Sequence, residues 1–288
     1  MNSTGKTPKR YFGAHVSSAG GLENAVLNGK ELGVNSIQLH PAAPQRWNTK
    51  PFADGIEEAF LREREGSGIE KVFFHGIYLI NLANPDTRLQ GLARNSLVYF
   101  LELNHRLNGD GVVFHVGSMK DEPDEKRGYA RIAESINWIL DRARGEAKLL
   151  LEVAAGSGNI VGDRIEELAE IFEGVEDHER VGFALDSQHL WASGYDLVQN
   201  LEGIVDNVDT VFGLDKVFAF HLNDSKTDLG SRVDRHENLG AGKIGEAALR
   251  KLVNHPRLTH IPFVLETPDL KSLETAHLEV DKLRNYIK

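Results

Sequence analysis

Six short apolar runs each end in a side chain able to bind a metal. They are 71–76 (KVFFHG), 111–116 (GVVFHV), 148–153 (KLLLEV), 181–186 (VGFALD), 217–222 (VFAFHL) and 262–267 (PFVLET). The candidate ligands are His75, His115, Glu152, Asp186, His221 and Glu266, spaced 34 to 45 residues apart. The run ending in Asp186 continues into Ser-Gln-His189, and the connection after His221 carries Gly230-Ser-Arg-Val-Asp234-Arg-His236. Positions two apart in an extended segment face one side, so Asp234 and His236 could pinch one ion. Asp186 and His189, three apart at a strand end, are expected to diverge and serve different ions. Five histidines and four carboxylates, without sulfur, suit Zn²⁺, Mn²⁺ or Fe²⁺ better than Ca²⁺ or Mg²⁺. Nine donors exceed the needs of one ion and point to two or three neighbouring ones. Such a cluster clamps the attacking and leaving oxygens of a phosphate and lowers the pKa of a bound water. Any one of these residues alone reads more naturally as a hydrogen-bonding or substrate group. Together they argue for metal, because burying so many unpartnered titratable groups is costly.

The elements that must position these ligands follow from the same runs. Parallel strands buried on both faces read as continuous apolar stretches. Two more, 11–16 (YFGAHV) and 36–40 (SIQLH), bring the count to eight. Helical periodicity fills the gaps at 21–32, 52–66, 86–107, 125–143, 164–174, 196–209, 244–254 and 271–286. Asp86, Thr87 and Asp163 look like helix starts, and Gly33, Gly109 and Gly182 stand where helices should stop and strands begin. Eight alternating units in 288 residues fit a single (β/α)8 TIM barrel, with the metal cluster at the C-terminal face of the strands. An open α/β sheet of similar element count is the alternative. Residues 1–10 are expected to be a flexible N-terminal segment and 11–288 one barrel domain.

Bulk composition sets looser bounds. Hydrophobic content of 41% is ample for a large core, and without cysteine neither disulfides nor thiolate ligands exist. No apolar stretch follows the basic N-terminus, so no membrane association and a cytoplasmic location, beside the nucleoid in a prokaryote, are expected. The net charge of −10 argues mildly against nucleic acid, although bound divalent cations would offset much of it.

Nine stretches carry a resemblance to a known family: 13–22 (GAHVSSAGGL), 75–82 (HGIYLINL), 114–118 (FHVGS), 184–189 (ALDSQH), 194–196 (GYD), 221–226 (HLNDSK), 230–236 (GSRVDRH), 239–245 (LGAGKIG) and 265–267 (LET). The chain resembles endonuclease IV, the zinc-dependent apurinic/apyrimidinic endonucleases of TIM-barrel fold. The resemblance implies three zinc ions. His75, His115 and Glu152 would hold the first. Glu152, Asp186, His221 and Glu266 would hold the second, with Glu152 bridging, and His189, Asp234 and His236 the third. It implies cleavage of double-stranded DNA on the 5′ side of an abasic site, leaving a 3′-hydroxyl and a 5′-deoxyribose phosphate, by a monomeric enzyme. Glu266 would orient or deprotonate the attacking water, with Glu152 as the second catalytic carboxylate.

For DNA contacts the resemblance points to Tyr78 and Leu79 as minor-groove wedges and to Gln45 or Arg46 in damage recognition. His15, Ser17, Lys226, Arg232 and Arg235 could contact phosphates. The strand-two loop reads HPAAPQRW (40–47) where bacterial members carry a Lys-Asn-Gln-Arg-type stretch, and Val153 stands where asparagine is usual. Two other functions compete. A xylose-isomerase-like sugar isomerase or epimerase also places His, Glu and Asp at strand ends, but gives no reason for His189, Asp234 and His236. A non-catalytic DNA-damage binder would fit the altered loop.

Overall fold

Each of the eight apolar runs is a strand, trimmed by at most three residues. The computed structural model describes residues 9–47, 55–120 and 122–288. Seven parallel strands come first: β1 (Phe12–His15), β2 (Ser36–Leu39), β3 (Lys71–His75), β4 (Gly111–Phe114), β5 (Leu149–Glu152), β6 (Val181–Asp186) and β7 (Val217–His221). A short antiparallel pair follows, β8 (Asp224–Ser225) and β9 (His236–Glu237), and then β10 (Phe263–Leu265). The parallel strands close in the order β1-β10-β7-β6-β5-β4-β3-β2, which is the expected barrel and not an open sheet. Closure brings β1 and β2 so near that a Cβ on Gly13 would stand 1.7 Å from the Ser36 carbonyl oxygen, so only glycine fits there.

The helices are α1 (Glu23–Leu32), α2 (Ile56–Arg64), α3 (Thr87–Arg106), α4 (Glu125–Arg142), α5 (Ile165–Glu173), α6 (Ser187–Ala192), α7 (Leu201–Val211), α8 (Glu246–Val253) and α9 (Leu273–Tyr286). Helix α4 shows how they attach. Its buried Tyr129, Ile132, Ala133, Ile136, Ile139 and Leu140 recur at three and four, forming one apolar stripe against the barrel.

Asp86 caps α3 as expected, accepting from the backbone N–H of Arg88 and Leu89. Three other boundary signals mean something else. Asp163 does not cap α5; Arg164 precedes that helix, and the Asp163 carboxylate pairs with Arg232. Gly33 ends α1 in the left-handed conformation, but after α3 that conformation falls on Asn108 and not on Gly109. Gly182 lies inside β6, where a Cβ would meet the Phe218 ring at 2.4 Å. Its role is close packing.

Helix 52–66 is described from Ile56 and ends at Arg64; its first expected residues, 52–54, lie outside the described residues. The expected helix 196–209 starts only at Leu201, because Asp196 turns the chain by accepting from the N–H of Val198 and Gln199. Of segment 1–10, residues 1–8 lie outside the described residues. Lys9 pairs with Glu70, and the Arg10 guanidinium donates to the Val253 carbonyl. Among the described residues no helix is long and apolar enough to cross a membrane.

Candidate metal centre

The barrel interior is filled by a small cluster made of Phe73, Val113, Leu150, Ala184, Ala219 and Val264, one from each of six strands. Side chains alternate across a strand with a period of two. Two residues after each of these come His75, His115, Glu152, Asp186, His221 and Glu266. All six therefore face the barrel axis at its C-terminal mouth. The other two strands obey the same rule. Gln38 lies in register with the interior residue Phe73, and His15 lies in register with Gln38. In the sequence His15 stands out only as a possible phosphate contact and Gln38 not at all, although the same period singles out both.

Three groups of donor atoms converge. One is His75, His115 and Glu152; another is Glu152, Asp186, His221 and Glu266; the third is Asp186, His189 and His236. Glu152 is fully buried and divides its two oxygens. Oε2 lies 3.0 Å from His75 Nε2 and 3.4 Å from His115 Nε2, while Oε1 lies 2.8 Å from His221 Nδ1. That is the placement of a carboxylate able to bridge two ions.

Asp186 and His189 do not diverge as expected. The helix α6 begins directly at the strand end, and Asp186 Oδ1 caps it by accepting from His189 N at 2.9 Å. Residues three apart on a helix share a face, so the two converge on one group with His236. Asp234 stands at its rim, 54% exposed, with Oδ2 3.5 Å from His189 Nε2 and Oδ1 3.4 Å from His236 Nε2. Asp234 and His236 do lie on one side, as their spacing predicts.

The chemistry of this donor set fits metal ions. Nδ1 of His75, His189 and His236 each meets a backbone carbonyl, those of Gly76, Val153 and Glu266. Outer partners of this kind fix the tautomer of metal-binding imidazoles and leave Nε2 free for the ion. His189 Nε2 and His236 Nε2 then face each other at 3.5 Å, a contact that a proton or a cation between them satisfies. Among the described residues no Lys or Arg pairs with Glu152, Asp186 or Glu266; only histidines do. One buried ring nitrogen, Nδ1 of His115, has no partner among the described residues.

Electrostatics reflect the same shortage of positive charge. Burial opposes charging of the His221 ring, but Glu266, Glu152 and Asp186 outweigh it and push its pKa up to about 9. His189 is likewise raised against burial, by Asp186, Asp234 and Glu152. Burial also opposes ionisation of Glu152 and Glu266, yet the surrounding histidines hold both well below the usual carboxylate range. Asp234 falls to about 2 by the same contest, chiefly through His189. A pocket of this polarity attracts divalent cations.

The cluster opens into a cavity of about 840 Å³. On its wall His40, to which no sequence motif gives a role, packs its ring 4.5 Å from His15 and 5.4 Å from His75. Burial, with His15 and His75 beside it, brings its pKa down to about 3, so it is a neutral ring. Tyr78 projects from the mouth, 68% exposed, beside the exposed Leu79. Gln45 and Arg46 are exposed on the strand-two loop, and Ser17 lines the cavity. Arg235 is exposed and donates to the Asp234 carbonyl, while Lys226 lies 3.9 Å from Glu237. Arg232 differs from expectation, since its guanidinium is committed to Asp163 and the Gly156 carbonyl. Asn223 also escaped notice: Nδ2 donates to Asp186 Oδ2 and Oδ1 accepts from Glu266 N.

Barrel and mouth together define a class, the TIM barrels that gather a candidate polynuclear metal centre at their strand ends. Residues 26–286 match the family model described as xylose isomerase-like TIM barrel. A Chloroflexus aggregans protein named "Probable endonuclease 4" is 36% identical over 283 residues, covering 96% of this chain and 98% of that one. The crystal structure of endonuclease IV from Thermus thermophilus superposes with a TM-score of 0.84 at 34% identity, covering 96% of this chain and 98% of the other. The chain belongs to the endonuclease IV family. A D-tagatose 3-epimerase-like protein superposes with a TM-score of 0.72 at 16% identity and shares the fold alone.

Proposed function

We propose that this chain is an apurinic/apyrimidinic endonuclease of DNA repair that hydrolyses the phosphodiester 5′ to an abasic site in duplex DNA. The products are a 3′-hydroxyl and a 5′-deoxyribose phosphate. The observation that carries the reading is the fusion of three donor groups through Glu152 and Asp186, eight residues joined at the rim by Asp234, more donors than one or two ions require. His75, His115 and Glu152 would hold one ion; Glu152, Asp186, His221 and Glu266 a second; His189, Asp234 and His236, with Asp186 alongside, a third. Zinc suits these nitrogen and oxygen donors. Bound there, such ions lower the pKa of a water and neutralise the charge that develops on attacking and leaving oxygens.

The protein's own groups supply the rest. Glu266 is ionised and held from two sides, by Gln38 at Oε1 and by Asn223 at its backbone N–H. It orients the attacking water and receives its proton as the bond to phosphorus forms. Attack by water needs no covalent enzyme intermediate. Tyr78 and Leu79, exposed beside the cavity, fill the gap that a missing base leaves in the stack. A sugar isomerase has no use for the third donor group or for an exposed aromatic wedge.

The test is incision of a duplex containing a tetrahydrofuran abasic analogue by metal-replete protein. A single cut on the 5′ side is expected, lost in Glu266→Gln and in Glu152→Ala. A duplex left intact by protein that interconverts a ketose would overturn the reading in favour of an isomerase. Tight binding without incision would make the chain a damage binder.

A further inference from the structure

The segment 227–236, which carries Asp234 and His236, has little apolar anchorage, since Leu229 and Val233 are both exposed. Its position depends on polar stitches. On one side it is tied to α6, the helix that bears His189. Gly230 N donates to the Trp191 carbonyl at 3.0 Å and Arg232 N to the Ala192 carbonyl at 2.9 Å. Trp191 Nε1 and Gln188 Nε2 return the bonds, to the carbonyls of Thr227 and Val233.

Towards the chain leaving β5, the stitches among the described residues run through Arg232. Arg232 Nη2 lies 2.6 Å from Asp163 Oδ2, Arg232 Nε donates to the Gly156 carbonyl at 2.7 Å, and the Arg232 carbonyl accepts from Ser157 Oγ at 2.8 Å. Arg232 holds a left-handed φ of 57°, an unfavourable conformation for a non-glycine residue that persists only when its surroundings impose it. Gly156 makes room, since a Cβ there would stand 2.8 Å from Asp163 Oδ2. The carboxylate of Asp163 is 9% exposed, and the arginine side chain 57%. The arginine end is open to solvent, which screens the pair and limits its part in global stability. The pair is well placed to set a distance.

We infer that Arg232, held by Asp163, is a positioning residue for the third ion. It fixes the 227–236 segment against the chain leaving β5, so that Asp234 and His236, two and four residues on, meet His189. This rests on the three-ion reading above. Arginine is required because one planar fork serves a carboxylate and a carbonyl together, which lysine cannot do.

The test uses whole protein loaded with Zn²⁺ and freed of excess. Arg232→Lys, Arg232→Gln and Asp163→Asn are each expected to retain two ions per chain in place of three by elemental analysis. Affinity for the third should fall about 10- to 100-fold in chelator competition, the range seen when an outer partner of a metal ligand is removed. Melting temperature should stay near that of the parent, kcat should fall with KM little changed, and added Zn²⁺ should restore kcat. Three ions of unchanged affinity in all three variants would overturn the inference. So would a loss of activity that Zn²⁺ does not restore, since that marks a residue needed for folding alone. A parent protein holding only two ions would instead remove the three-ion reading, and this inference with it.

Discussion

Gln38 Nε2 donates to Oε1 of Glu266 at 2.5 Å, reaching past β1 to a residue 228 positions away. A carboxylate only accepts, so the amide nitrogen must face it, and the amide oxygen must face His221 Nε2 at 2.8 Å. His221 Nε2 therefore carries a proton, and Nδ1 faces Glu152 and Glu266. One buried amide orients the carboxylate proposed to hold the water and one nitrogen of a candidate ligand.

Replacing Gln38 by leucine keeps the volume and removes both bonds. Metal affinity of the Glu152, Asp186, His221 and Glu266 group should drop about 10- to 100-fold, as for other outer partners of metal ligands. Chelator competition checks this. Unchanged affinity would mean that Gln38 is merely filler.

Much of this centre was legible because a parallel barrel strand has a simple signature. A polar residue two positions beyond an interior apolar one must face the axis, and six such residues were also of ligand type. Gln38 obeys the same period but is an amide in a four-residue strand, so its chemistry did not announce it. His40 lies beyond a strand end, and only packing against His15 and His75 reveals its place. The convergence of Asp186 and His189 depends on α6, whose six residues are all buried and show no amphipathic period. Asp163 and Arg232 belong to different loops, and no local pattern in either announces their contact. Glycine marks proved ambiguous: Gly33 ends a helix through its left-handed φ, whereas Gly182 lets Phe218 pack against β6.

Tyr78 is expected to act on DNA and not on metal. Its ring lies at the edge of His40, 5.8 Å between centroids, and its backbone N–H donates to the Pro44 carbonyl, so the residue is braced by the strand-two loop. Tyr78→Ala should cost roughly 1–3 kcal/mol of affinity for an abasic duplex, the worth of one stacked base. Fluorescence anisotropy would read that loss, with metal content unchanged. A variant that loses metal would show the ring to be structural.

Asp224 is fully buried and accepts from the backbone N–H groups of Ser225, Gly242, Ile244 and Gly245. Asp224 thereby ties the stretch HLNDSK (221–226) to LGAGKIG (239–245). Asp224→Asn turns an amide NH₂ towards donors and should cost roughly 1–3 kcal/mol in thermal or denaturant unfolding. Gly242→Ala should destabilise at the same point, because a Cβ there would stand 2.5 Å from Asp224 Oδ1. A neutral effect of both changes would contradict this account.

Removal of metal should reverse the pH dependence of stability. Without ions, His221 has its pKa raised from 6.5 to about 9, chiefly by Glu266 and Glu152 acting against burial. A raised histidine stabilises the fold fully below pH 6.5, and that contribution is lost as pH climbs through about 9. Glu152 and Glu266, both lowered, contribute above their ordinary value of 4.5 and lose that contribution as pH falls below it. Chelator-treated protein should therefore be most stable between about pH 4.5 and 6.5 and weaken towards pH 9. Ions compete with protons for the same rings, so their affinity rises over the interval in which the metal-free form declines. The gap in melting temperature between loaded and chelator-treated protein should widen steadily from about pH 6.5 to 9. Curves that stay parallel across that range would show that these histidines do not hold the ions.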